Sequence, residues 1–263
     1  MEVGSLLEEV RRKAPVVHHL TNWVTIYDCA NIVKVFGASP VMAHAPEEVE
    51  EMVGIASALV LNIGTLTVEF VESMKKAARR ANARSIPVVL DVCGAGATRL
   101  RDAKCAELLE AARIDLVKGN ASEIARVAGE AVATRGVDAA EVEKDLAELA
   151  RALARARSCT VVVTGREDIV TDGVSTFRIK NGHEMMSRVV GTGCMAASVI
   201  GAFAGVERER VRAAVAGLVS YEVAAELAAR SARGPGSFKE ALFDAVAGLD
   251  ASTVEQMKRV VAS

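Results

Sequence analysis

Four short runs in the chain are apolar almost without a break: Ala58-Leu59-Val60-Leu61-Asn62-Ile63, Pro87-Val88-Val89-Leu90-Asp91, Ile114-Asp115-Leu116-Val117-Lys118 and Cys159-Thr160-Val161-Val162-Val163-Thr164. A strand without polar alternation is covered on both faces, as in a parallel sheet flanked by helices. Between the runs, helices are expected from about Thr67 to Asn82, Leu100 to Ala112 and Ala121 to Ala128. A loop follows from Gly129 to Gly136, then a long helix from Ala139 to Arg157. Such strand–helix alternation dictates a doubly wound α/β layer architecture.

The flanking segments extend this frame. Val3, Leu6, Leu7 and Val10 recur at helical spacing over residues 2–13, and Pro15 stops that helix. Val16 to Leu20 reads as a strand, Thr21-Asn22 as the cap of a helix reaching Phe36, and Val41-Met42 as a short buried strand. Pro46 opens the next helix, with Glu47, Glu48, Glu50 and Glu51 in its early turns, where the dipole favours acids. After Thr164 the pattern changes. Ile169-Val170-Thr171, Ser175 to Lys180 and His183 to Val190 read as three antiparallel strands turned by Asp172-Gly173 and Asn181-Gly182, since these dipeptides suit type I′ hairpins. Four helices then fill the chain from Met195 to Val261. The expectation is an α/β fold organised as a single domain over residues 1–263. Its central sheet is mostly parallel, with an antiparallel meander at one edge and helices on both faces.

Composition removes several classes of function. The 263 residues carry a well-mixed net charge of −2 and only 3% aromatics, so neither nucleic acid nor a membrane surface is an expected partner. Five cysteines without a CxxC or metal spacing suit a reducing compartment. The amphipathic start lacks the apolar core of a signal peptide. The 18-residue charge-free run from Val189 to Val206 is interrupted by glycines and reads as a turn plus a buried helix rather than a membrane span. A soluble cytoplasmic protein is expected.

Ligands of an open parallel sheet sit beyond the carboxyl ends of its strands. Five consecutive strand ends here carry glycine, an acid or a base: Asn62-Ile63-Gly64-Thr65, Asp91 with Gly94-Ala95-Gly96, Lys118-Gly119-Asn120-Ala121-Ser122-Glu123, Thr164-Gly165, and Gly191-Thr192-Gly193-Cys194. The last opens a helix of small apolar residues, whose free N–H groups and positive dipole end attract an anion and would lower the pKa of the Cys194 thiol. Taken one at a time, each feature also has a plainer account. Gly191 to Cys194 can be a glycine turn beside a buried cysteine, Asp91 a loop cap, Lys118 a solvated strand end, Met42 a core residue, and His18 and His19 surface or capping groups. Asn120 to Glu123 has the spacing of a capping box, which does not stop Glu123 from organising a metal through water. Together, the anion cradles, the acids Asp91 and Glu123, the cation Lys118 and the activatable Cys194 are what phosphoryl transfer requires. There is no GxxxxGK[ST] loop. Gly191, Gly193 and Ala196 match a loose dinucleotide pattern, but no second βαβ unit or acidic strand end follows, which disfavours a dinucleotide site.

The segments His19-Leu20-Thr21-Asn22, Gly37-Ala38-Ser39-Pro40-Val41-Met42-Ala43-His44-Ala45, Leu59 to Thr65, Gly119-Asn120-Ala121-Ser122-Glu123-Ile124, Val163-Thr164-Gly165 and Val190-Gly191-Thr192-Gly193-Cys194 resemble the hydroxyethylthiazole kinases of the ribokinase-like superfamily. The likeness runs from about residue 5 to residue 260. It implies a three-layer ribokinase-like fold and ATP-dependent, magnesium-assisted phosphorylation of the primary alcohol of 4-methyl-5-(2-hydroxyethyl)thiazole, in thiamine biosynthesis or salvage. It implies that Met42, Asn22 and Gly191 bind the thiazole and that Gly191 and Gly193 form an anion hole. Cys194 stands where most of the superfamily carries an aspartate base. Lys118, Thr164 and Asn120 would lie on the ATP side, and Asp91 and Glu123 would order Mg²⁺. It also implies a homotrimer with sites between subunits, Met42 serving a neighbour's site. Two departures stand out. Asp91-Val92-Cys93 replaces Asp-Pro-Val, and Lys118 replaces an arginine, keeping the charge but not the planar fork. Other readings are a superfamily relative acting on hydroxymethylpyrimidine or pyridoxal, and a non-catalytic binding protein that kept the pocket.

Overall fold

The computed structural model describes residues 1–129 and 146–263. Its centre is one nine-stranded sheet in the order β2-β1-β3-β4-β5-β6-β7-β8-β9. The strands are β1 (Val16–Leu20), β2 (Ser39–Val41), β3 (Ala58–Asn62), β4 (Val88–Asp91), β5 (Leu116–Asn120), β6 (Thr160–Thr164), β7 (Asp168–Thr171), β8 (Thr176–Ile179) and β9 (Val260–Ala262). From β2 to β6 all neighbours pair in parallel, and from β6 to β9 they pair antiparallel. The parallel register sets Asn62 beside Asp91 and Asp91 beside Lys118, so the polar ends of β3, β4 and β5 form one row.

Helices cover both faces because alternate strand residues point to opposite sides. Ala58 and Val60 join one core with α1 (Gly4–Lys13), α2 (Ile26–Val35), α8 (Thr192–Ala204), α9 (Arg210–Ser231), α10 (Pro235–Gly248) and α11 (Ala251–Met257). Leu59 and Leu61 join the other, with α3 (Val49–Ile55), α4 (Val68–Ala83), α5 (Arg99–Ala111), α6 (Ala121–Val127) and α7 (Leu146–Arg157). Every residue of α8 from Cys194 to Ala204 is buried. The charge-free run is therefore an interior helix, and among the described residues no helix is long and apolar enough to cross a membrane.

The structure departs from the expectations at six places. Residues Glu184–Arg188 are a 3₁₀ turn, not a strand, and no side chain in it is buried. Asn181-Gly182 makes no hairpin, because the Asn181 amide instead donates to Glu226 Oε1 and Met257 O at 3.0 Å each. The third antiparallel strand is β9, from the far end of the sequence, so the final segment is not wholly helical. Asp172-Gly173 does turn a hairpin, with Gly173 at φ 90° and Asp172 Oδ1 accepting from the N–H groups of Val174 and Ser175. The second helix starts at Ile26 with Thr25 as its N-cap residue, later than expected, and Asn22 Oδ1 accepts from Thr25 N in the turn that precedes it. Strand β2 is only half-buried and ends before Met42. His18 and His19 are buried strand residues rather than surface groups. The expected helix start at Ala139 and most of the Gly129–Gly136 loop lie outside the described residues.

Candidate active site

A cleft of about 1060 Å³ opens beyond the carboxyl ends of β4, β5 and β6 and is closed behind by the start of α8. Asp91, Lys118, Asn120, Glu123, Thr164, Gly191, Gly193 and Cys194 all line it. Eight of the expected site residues, read from four separate strand ends, therefore meet in one place.

The floor is a buried charge pair. Asp91 is fully buried and Lys118 only 4% exposed, with Nζ 3.5 Å from either Asp91 oxygen. Burial works to lower the Lys118 pKa, but the charges of Asp91, Glu123 and Cys194 outweigh it and keep the ammonium protonated. Burial pushes the Asp91 carboxyl up, and the Lys118 charge opposes this. At 3.5 Å the pair is too long for a tight hydrogen bond, so Asp91 retains acceptor capacity toward the cleft. The plainer account of Lys118 as a solvated strand end does not hold: β5 is a central strand, and its end is roofed by α8.

Gly191 sets the position of α8. Its φ of 95° is a left-handed turn, and a Cβ there would stand 2.7 Å from Thr25 Cγ2. Gly193 brings bare backbone over the cation, since a Cβ on it would lie 3.1 Å from Lys118 Nζ. The helix start thus presents unpaired N–H groups beside an ammonium, an arrangement complementary to phosphate.

Cys194 lies at the first turn, within an amide network. Asn22 Nδ2 and Asn62 Nδ2 each donate to its Sγ at 3.3 Å. Asn62 also donates to Asp91 Oδ2 (2.8 Å), while its Oδ1 accepts from Asn22 Nδ2 (3.0 Å) and Gly64 N (2.9 Å). Asn22 Oδ1 in turn accepts from Thr25 N and Oγ1. A hydrogen bond with Cys93 holds the Cys194 thiol below the ordinary thiol range; burial opposes this, and Thr25, the Lys118 charge and Asn22 reinforce it.

The loop after β4 is braced from two sides. Asn120 caps α6 through Glu123 N (3.0 Å), and Glu123 Oε2 accepts from Asn120 N (2.8 Å), completing the capping box. The other Glu123 oxygen accepts from Gly94 N at 2.8 Å. Arg101 of α5 donates to the carbonyls of Ile63, Cys93 and Gly64 and so ties the ends of β3 and β4 together. Among the described residues no group of three His, Cys, Asp or Glu side chains forms an all-protein metal cage. Magnesium does not need one, because it keeps several waters and takes one or two carboxylates plus phosphate oxygens. Asp91 and Glu123 fit such a shell.

Two expected residues stand apart. Asn22 reaches the site through its bond to Cys194. Met42 lies past the end of edge strand β2, half-buried and not among the residues lining the cleft. Thr25 and Arg101 were not singled out from sequence, Cys93 only as a departure from the family pattern, and Asn62 only as part of a strand end. The signals for Asn62 and Cys93 were a polar residue inside an apolar run and a thiol two places after Asp91; nothing local marks Arg101.

A family model for the hydroxyethylthiazole kinase family matches residues 7–252. The chain belongs to the hydroxyethylthiazole kinase family. It is 54% identical over 252 residues to a hydroxyethylthiazole kinase of Methanosarcina acetivorans, covering 96% of this chain and 97% of the relative. The structure of hydroxyethylthiazole kinase protein from Pyrococcus horikoshii OT3 superposes with a TM-score of 0.92 at 41% identity, covering 99% of this chain and 98% of that one. A ribokinase-like superfamily protein of Enterococcus faecalis shares the fold at a TM-score of 0.65 and 12% identity, covering 92% and 93%. The fold of this family member is accordingly ribokinase-like, a mostly parallel sheet between two helical layers with an antiparallel edge.

Proposed function

We propose that the protein transfers the γ-phosphoryl group of ATP to the primary alcohol of 4-methyl-5-(2-hydroxyethyl)thiazole, serving thiamine biosynthesis or salvage in the cytoplasm. The observation that carries this reading is the convergence of the Gly191–Cys194 helix start, Lys118 and Asp91 on one cleft in a member of this family.

In this reading the γ-phosphate sits against the N–H groups of α8, with Gly191 and Gly193 forming the anion hole. These donors are fixed in advance, so they stabilise charge that develops on the transferring group without reorganising. Lys118, Thr164 and Asn120 bind the ATP side. Asp91 and Glu123 would hold Mg²⁺, and the ion would supply charge neutralisation at the phosphates. Asn22 and Gly191 position the thiazole so that its hydroxyl faces the phosphate beside Cys194. The thiolate, held low by Cys93, Asn22 and Lys118, accepts the alcohol proton. Because the transition state is loose, that proton leaves late and the base contributes modestly.

Met42 contacts the thiazole of a neighbouring subunit in a homotrimer. Its place outside the cleft of its own chain supports this, as does the exposure of Trp23, Val24 and Tyr27 on the segment between β1 and α2.

The assay mixes the protein with ATP, Mg²⁺ and hydroxyethylthiazole and follows ADP release, with hydroxymethylpyrimidine and pyridoxal in parallel. Turnover with the thiazole is expected. Turnover only with another alcohol would keep the anion hole and move the substrate.

A further inference from the structure

The cleft has a second end that the proposed chemistry leaves idle. Beyond Thr164 and Gly165 its wall continues through Asp168 at the start of β7 to Glu222 of α9. These two acids are 4% and 5% exposed, and their carboxyl groups hydrogen-bond each other. Two carboxyls can do this only with a proton between them, and burial, which raises both groups, favours holding it. The pair is short of donors. Gly165 N donates to Asp168 Oδ1 at 2.9 Å, but apart from the proton shared with Asp168 no donor among the described residues meets Glu222 Oε2. The nearby candidates are committed elsewhere: the Asn181 amide to Glu226 and Met257, and Lys118 to Asp91. A buried pair of acids met by so few donors in a native fold calls for an explanation, and a ligand that brings a donor is one.

We propose that the Asp168–Glu222 pair recognises the nucleoside half of the phosphoryl donor, its carboxyl oxygens accepting hydrogen bonds from the ribose hydroxyls or the exocyclic amine of the base. This rests on the reading that ATP is the donor. The triphosphate belongs at the other end of the cleft, over Lys118 and the start of α8, so the nucleoside must lie along the remaining wall. Asp168 lies within electrostatic reach of Lys118, which sets the pair one step on from the phosphates. A pair that shares a proton carries one negative charge instead of two, so it accepts hydrogen bonds while repelling the triphosphate less than two carboxylates would. Acidic side chains accept from ribose hydroxyls in other nucleotide sites for the same reason of donor–acceptor complementarity.

The test is steady-state kinetics at saturating hydroxyethylthiazole, with ATP, 2′-deoxy-ATP, 3′-deoxy-ATP and GTP, on the wild type, Glu222→Leu and Glu222→Gln. Leucine removes the acceptors. Glutamine restores them, because its amide N–H can donate to Asp168 while its oxygen still accepts. Glu222→Leu is expected to raise KM for ATP about tenfold with kcat and the thiazole KM held within twofold, and Glu222→Gln to raise it much less. The nucleotide lacking the recognised donor should lose about tenfold on the wild type and nothing further on Glu222→Leu; a deoxy analogue would name the ribose, GTP the amine. An unchanged KM for ATP in folded Glu222→Leu overturns the proposal. So does a wild type that binds all four nucleotides alike, a result that needs no variant to fold. Failure of the wild type to phosphorylate the thiazole would instead sink the functional reading, and calorimetric titration of the same nucleotides would still judge the pair.

Discussion

Burial pushes the thiols of Cys29, Cys105 and Cys159 up to about 12, whereas Cys194, also buried, is driven the other way by a Cys93 hydrogen bond and the donors around it. The difference lies in the neighbours and is not visible in the residue type. General-base catalysis is commonly worth about 10²–10⁴ in rate, and a loose transition state needs less of it. Cys194→Ala should therefore slow turnover only about tenfold. Gly193→Val should nearly abolish it, because a side chain there drives into Lys118 Nζ and fills the phosphate seat. Complete loss in a folded alanine variant would show that the thiolate does more than this. Asn62 is the second residue on which the site turns, since its amide spends both donors and its acceptor on Asp91, Cys194, Asn22 and Gly64. Asn62→Leu would strand several buried polar groups at about 1–3 kcal/mol each. We expect a kcat at least about tenfold lower together with a lower melting temperature. Retained kcat in a destabilised variant would assign Asn62 to folding alone.

At the scale of elements, the parallel core could be read because its strands are apolar on both faces, and no other local pattern produces that. The meander was misread at His183 to Val190. That stretch follows an Asn-Gly dipeptide and has strand-like composition, but the edge position beside β8 is taken by β9, roughly 75 residues further along, a long-range competition no window can see. The site was legible where a residue's role follows from its place at a strand end, as for Asp91, Lys118 and Gly191. It was illegible where the role depends on contact across elements, as for Arg101, Thr25 and Glu222. Asn120 and Glu123 lie between these cases, since the capping box was read correctly and its reach to Gly94 was not. That bond makes α6 a brace for the loop after β4. Asn120→Ala should cost about 1 kcal/mol, the usual worth of an N-cap. Glu123→Ala should cost more, because it strands the N–H groups of both Asn120 and Gly94. Urea unfolding of the two variants checks the order, and equal losses would mean the Gly94 bond contributes nothing.

Across the whole molecule, buried ionisable groups make stability depend on pH in two opposing ways. Glu222 is held protonated in the fold by burial, so the stability it contributes is present at low pH and lost as pH rises above the ordinary carboxylate range. His19 works in the opposite sense. It is a strand residue with Nδ1 3.0 Å from Val17 O, and burial lowers its pKa to about 4. In the unfolded chain the same imidazole titrates near ~6.5. Between these values the unfolded state binds a proton that the folded state refuses, so stability is intact above the unfolded value and falls as pH drops toward 4. Two and a half pKa units correspond to about 3 kcal/mol. His18, whose Nε2 lies 2.7 Å from Ala43 O, is shifted in the same direction by burial and adds to the slope. Replacing His19 with leucine removes its titration whatever the substitution costs in packing, so the informative quantity is the difference between variant and wild type. Urea unfolding at pH 7, 5.5 and 4 should show that difference moving by about 3 kcal/mol in favour of His19→Leu as the solution is acidified. A difference that stays constant over that range would mean that His19 takes up its proton within the fold, and that β1 tolerates a charge beneath α8.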